Sequence, residues 1–374
     1  MRNLFHGPTH SLLPLHAIRY LPVVVLLLPP LMLACGVWSS PSCAAASTTH
    51  IDVAKQPITG LVAMGNPVGA LKYEDPLKEV KVHPGVYSGV VINAVWMYLE
   101  PERGAYDFSS IDDALNEIAE YNTQYPEHPI SAKLRIFGGT VAPSYVKELD
   151  GGPITVRPSR GPSVEIGLFW TEAYGDRFAA LLAQLAHRYD NNVLLREVCV
   201  STAASLTAEP FIAPLNRESN LLLRAKGFND ALYKQAIARA LDDYRVWRLT
   251  AIDFPFSVFS STDDGWSSDP VFTTDLMREF RAQYGERAVI SNHGLHDPLS
   301  EGAALIYPTI QELGVPVAFQ TRGPQDDFDA AIRIGFEYGM TEFEVWQTVD
   351  AGGRADISCD ALKKWALLFP PHSK

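Results

Sequence analysis

Eight short apolar runs, each followed by a stretch with helical periodicity, recur along residues 58–368, and few folds accommodate that alternation. The runs are ITGLVAMG (58–65), GVVINAVWMYL (89–99), ISAKLRIFGG (130–139), LLREVCVST (194–202), LTAIDFPFSVF (249–259), RAVISNHG (287–294), VPVAFQT (315–321) and TEFEVWQ (341–347). The clearest helical stretch is TEAYGDRFAALLAQLAHRY (171–189), where Phe178, Leu181, Leu182, Leu185 and Tyr189 return at i, i+3 and i+4. Strands separated by helices pair in parallel, because a parallel neighbour needs a crossover. Eight strands with a final helix near 358–368 therefore predict an α/β fold, a single (β/α)8 TIM barrel. A doubly wound open sheet would carry a Gly-rich phosphate turn after an early strand, and AMGNPVGALKY is a poor version of one.

The first 46 residues read differently. Arg2 and Arg19 are their only charged residues, and LPVVVLLLPPLMLACGVW follows at 21–38 with Pro29-Pro30 breaking any long helix. A signal peptide over 1–46 is expected, with SCAAAS offering a small-residue cleavage site after Ala46, then a linker over 47–57 and the barrel over 58–374. LMLAC sets Cys35 where a lipoprotein cysteine would lie, which would attach the chain to a membrane. Either way the expected location is secreted, periplasmic or cell-surface. Cys199 and Cys359 remain beyond the leader without metal-type spacing; Cys199 reads as a buried small side chain, with a disulfide between the two as the alternative. Without the leader, 29 basic residues face 43 acidic ones, which argues against a nucleic-acid partner.

The segment WMYLEPERGAYDFSSID (96–112) carries a Trp at a strand's end, then Glu-Pro, Gly, Tyr-Asp-Phe and an Asp that opens a helix. It resembles the segment after the second strand in (β/α)8 glycoside hydrolases of the β-galactosidase-like retaining clan. FGGTVAPSYV (137–146) resembles the piece after the third strand, with Pro143-Ser144-Tyr145 where a Pro-Trp pair is common. The resemblance implies a glycosidase with a carbohydrate substrate, which the leader makes an exported one, and no cofactor is expected. Physically, most of the segment is scaffold: Ser109 or Ser110 is expected to cap the helix, and Tyr106 and Phe108 to wedge the loop against the barrel. Trp96, near the strand's C-terminal end, is either a sugar platform or a core residue.

Glycoside hydrolysis normally needs an acid for the leaving oxygen and a second carboxylate as nucleophile or base. The resembling clan carries Asn-Glu at the end of its fourth strand; here CVSTAASLTAEPFI has no such pair, and Glu209 stands several residues further on. Where that clan ends its seventh strand with Glu, VPVAFQTRG has Gln320. The eighth strand supplies the second candidate: alternation puts Glu342, Glu344 and Trp346 on one face, and burying a lone charge among apolar neighbours is costly. Glu209 and Glu344 are the expected catalytic pair, with Asp350 as a substitute and an ion pair between Glu344 and Arg135 as the structural alternative. Trp96, Arg135, Asn292, His293, Gln320 and Trp346 are the expected substrate-binding residues. SNHGLHD (291–297) sets two His three apart beside an Asp, but without helical spacing or a third clear ligand no metal is expected. A carbohydrate-binding protein on a degenerate hydrolase barrel would equally keep the aromatic and polar rim.

Overall fold

The computed structural model describes residues 53–65, 75–159, 162–201, 209–212, 214–263, 265–323, 327–346 and 357–370. The leader with Cys35, and Asp350, lie outside them. Each of the eight apolar runs forms a strand: β1 (Gly60–Gly65), β2 (Gly89–Val95), β3 (Ser131–Phe137), β4 (Leu195–Cys199), β5 (Ala251–Pro255), β6 (Ala288–Leu295), β7 (Val317–Thr321) and β8 (Glu342–Trp346). They close in chain order into one parallel barrel, β8 pairing with β1 through Gly60↔Glu342 and Val62↔Glu344. Helices around the barrel complete the α/β alternation, among them α1 (Ser109–Gln124), α2 (Glu172–Tyr189) and α4 (Asp230–Asp243), while α3 (Arg217–Ala225) packs on the short hairpin strand Ile154–Val156. The α2 stripe is buried as its spacing predicts: Phe178, Leu181, Leu182, Leu185 and Tyr189 all face the barrel. The stretch 217–243 is two helices, because Gly227 takes φ +87° and the Asn229 side chain then accepts from Leu232 N, starting α4 afresh. Cys199 is buried, and it and Cys359 are both free.

The 96–112 segment is built around one buried carboxylate. The second strand stops at Val95, and Trp96–Leu99 wind into a single helical turn. Glu100, fully buried, then accepts from Trp96 Nε1 (3.2 Å) and Gly104 N (2.9 Å) and pairs with Arg177 of α2. Tyr106 and Phe108 pack on the core as expected, Phe108 edge-on to Tyr189. The helix cap differs from expectation: Asp107, not Ser109 or Ser110, accepts from Ser109 N at 2.9 Å, while Asp112 is held by Tyr189 OH at 2.8 Å.

Inside the barrel the filling is half ionic. Two small apolar clusters lie there, Ile58, Val62, Met64 and Val91 in one, Ala251, Val289 and Ala318 in the other. Beside them the ammonium of Lys133 (β3) is surrounded by carboxylates from three other strands: Glu197 at 3.0 Å (β4), Asp253 at 3.1 Å (β5), and Glu342 at 2.5 Å and Glu344 at 3.0 Å (β8). Glu197 also accepts from Ile58 N at 2.6 Å. Four acids around one ammonium cannot all ionise out of reach of water. Burial, reinforced by the Glu197 charge, holds Glu342 well above the usual carboxylate range, and burial with Asp253 raises Glu197 against the pull of Lys133. Glu344 goes the other way: burial opposes its charge, but Arg135 and Lys133 overcome it and hold it ionised.

Lys133→Met would strand the surrounding acids without their cation, and a loss of at least about 3–5 kcal/mol in urea unfolding is expected. An unchanged midpoint would show that Lys133 is not the barrel's ionic centre. Glu342 and Glu197 bind protons more tightly in the native chain, so their contribution is complete below the ordinary Glu value and is lost as pH rises through the raised ones. Within that window stability should fall by about 1.4 kcal/mol per pH unit for each retained proton. Melting temperature against pH, measured beside Glu342→Gln, tests this: the substitution should flatten the alkaline fall.

Candidate active site at the barrel mouth

Two residues beyond Lys133 on the same inward face of β3, Arg135 stands nearer the C-terminal mouth, where barrel sites are built. Its Nη2 lies 2.8 Å from Oε1 and 2.6 Å from Oε2 of Glu344, so the ion pair weighed from sequence is present. The same Nη2 stands 3.5 Å from Nε2 of His293, near the end of β6. The other ring nitrogen, Nδ1, is 2.9 Å from Oε1 of Glu209 in the segment after β4. Glu209, His293, Arg135 and Glu344 thus form one contact chain from rim to interior. Exposure falls along it, from 25% for the Glu209 side chain to 8% for His293 and 1% for Glu344. The contacts and the span of the imidazole put the nearest oxygens of Glu209 and Glu344 within about 10 Å of each other.

The remaining expected residues divide. Gln320 faces inward in register with Glu344, and its Oε1 has no hydrogen-bond donor among the described residues. Trp346 stays half-buried at the end of β8, its Nε1 donating to Thr321 O at 2.9 Å and its ring against the Val62 cluster. Trp96 is core: it is wholly buried, edge-on to Tyr174 and Phe178 with centroids 5.6 and 5.0 Å away, and presents no face to a ligand. Its strand ends one residue earlier, so the indole turns toward α2. Asn292 is also structural. It points away from the barrel interior, donating to Phe256 O at 2.7 Å and accepting from Gly294 N (3.0 Å) and Tyr307 OH (2.9 Å).

What the sequence reading missed is the set Lys133, Glu197 and Glu342 beneath the mouth; its only sequence signal is charge at alternate positions within otherwise apolar strands. Asp253, His293 and Glu344 set one donor atom each within 4.8 Å of one another. That triangle does not suit a metal ion, because the permanently charged guanidinium of Arg135 already lies against both Glu344 and His293. Cys199, inward on β4 beside Arg135, is kept a neutral thiol by burial and the Asp253 charge.

No protein-family model and no curated protein sequence matches the chain. Solved structures do. The exo-beta-1,4-mannosidase Op5Man5 from Opitutaceae bacterium strain TAV5 is 14% identical with a TM-score of 0.51, over 85% of this chain and 61% of that one. The cold-adapted beta-galactosidase from Rahnella sp. R3 is 12% identical with a TM-score of 0.50, over 84% and 57%. Endo-glycoceramidase II from Rhodococcus sp. is 15% identical with a TM-score of 0.49, over 83% and 80%. This chain spans about three-fifths of the mannosidase and of the beta-galactosidase, and it shares their (β/α)8 barrel fold.

Proposed function

We propose that the chain hydrolyses glycosidic bonds of an oligo- or polysaccharide at the C-terminal mouth of its barrel. The observation that carries this reading is the contact chain from Glu209 to Glu344, which brings two carboxylates of different exposure into one mouth. Their spacing, at most about 10 Å, admits both the roughly 5–5.5 Å of retaining glycosidases and the roughly 6.5–9.5 Å of inverting ones. Glu209, at the rim, is the acid that protonates the leaving oxygen. Glu344, held ionised by Arg135 and Lys133, is the fixed negative charge that stabilises an oxocarbenium-like transition state. Gln320 Oε1 offers an acceptor for a sugar hydroxyl, and the half-buried Trp346 an aromatic ring at the end of the neighbouring strand. The apolar, acid-free leader supports placing the activity outside the cytoplasm, with Cys35 as a candidate lipid anchor.

A second reading, glycan binding without turnover, is favoured by Gln320 on the strand where the resembling clan carries its nucleophile, and by the near-complete burial of Glu344.

Turnover of a panel of aryl glycosides and of microbial and plant polysaccharides separates the two. Glu209→Gln should lower kcat by about 10²–10⁴-fold on natural leaving groups. It should do so far less on dinitrophenyl glycosides, whose departure needs no acid. Glu344→Gln should abolish turnover on both, with its melting temperature recorded because Lys133 loses a partner. Turnover that survives both substitutions would move the chemistry elsewhere, and binding to one glycan with no turnover would establish the second reading.

A further inference from the structure

Among the described residues, His293 is the side chain that joins the rim carboxylate to the ionic cluster below. The charged groups facing its ring come from four elements: Glu209 from the segment after β4, Arg135 from β3, Asp253 from β5 and Glu344 from β8. Arg135 carries donors only, so the nitrogen nearest to it, Nε2, presents its lone pair. A neutral ring of that tautomer carries its proton on Nδ1, which donates to Glu209 Oε1 at 2.9 Å. We infer that His293 is a positioning residue that orients Glu209 through an Nδ1–H hydrogen bond whose direction is imposed by Arg135.

This inference rests on the reading of Glu209 as the proton donor and adds a reason for its strength. When the Glu209 carboxyl gives its proton to the departing glycosidic oxygen, it becomes a carboxylate. A hydrogen bond to an anion is roughly twice as strong as one to a neutral acid. The Nδ1–H contact therefore tightens as the proton leaves, which favours the transition state over the bound substrate. The proton passes from Glu209 to the sugar oxygen, and His293 keeps its own.

The test uses two substitutions of similar polarity. The amide nitrogen of His293→Asn lies where Nδ1 lies; that of His293→Gln reaches the position of Nε2. With both variants folded by melting temperature, His293→Asn should keep most of kcat, while His293→Gln should lose about 10²-fold with little change in KM. Independently of turnover, histidine-ring ¹⁵N NMR of the full chain, with His293 assigned by its loss in His293→Gln, should show Nδ1 protonated and Nε2 bare. Glu209→Gln should shift that signal. A proton on Nε2, indifference to Glu209→Gln, or equal kcat in the Asn and Gln variants would overturn the inference. Ring spectra as expected in a chain that hydrolyses nothing would refute the hydrolase while leaving the positioning contact intact. Turnover with a ring protonated on Nε2 would do the reverse.

Discussion

The ammonium of Lys133 is the interaction on which the rest of the interior depends. A barrel of eight strands is just wide enough for side chains to fill it, and the usual filling is bulky and branched. Here Lys133 reaches from β3 and draws acids from β4, β5 and β8 onto a single point. Removing four carboxylates from water costs several kcal/mol for each one that stays charged. That cost is held down in two ways: the cations Lys133 and Arg135 take up the charge of Glu344, and protons kept by Glu342 and Glu197 reduce the number of anions. The cluster adds a constraint that apolar filling would not. Its partners must lie at hydrogen-bonding distance, so the strands that carry them are fixed in register as well as packed.

That constraint passes upward. Glu342 and Glu344 are two residues apart on one strand, as are Lys133 and Arg135 on another. Fixing the lower members of both pairs fixes the height and facing of the upper ones. Arg135 then meets Glu344 with little freedom, and His293 and Glu209 complete the path to solvent. The mouth thus joins one anion that cannot readily take a proton to another carboxylate that borders water. Chemistry that uses both charge and proton transfer needs that asymmetry.

The strands were legible because each is a short apolar run, and so were Arg135 and Glu344, which stand out as charges within such runs. His293 and Glu209 could be named as candidates, but their contact could not, since 84 residues separate them. The Lys133 cluster escaped for the same reason: its contacts span between 64 and 211 residues, and no local period records them. Asn292 was misjudged by facing, and Trp96 took the core place weighed for it beside the sugar platform. At a strand's end a single early turn, such as the one at Trp96–Leu99, sends a side chain into the outer layer. For Asn292 the alternation along β6 already places it opposite His293, and its partners Phe256 and Tyr307 lie outside the barrel wall.

Glu100 carries a consequence of another kind. The Glu-Pro segment is the stretch of this chain that most resembles glycosidase barrels, yet its carboxylate is spent on Trp96, Gly104 and Arg177, tying the loop after β2 to helix α2. The segment is a mortise joint in the barrel wall. A chain could alter every group at its mouth and still need that joint to close. Likeness at these residues therefore reports on how the wall is joined, and the proposed chemistry stands or falls with the four side chains that run from Glu209 to Glu344.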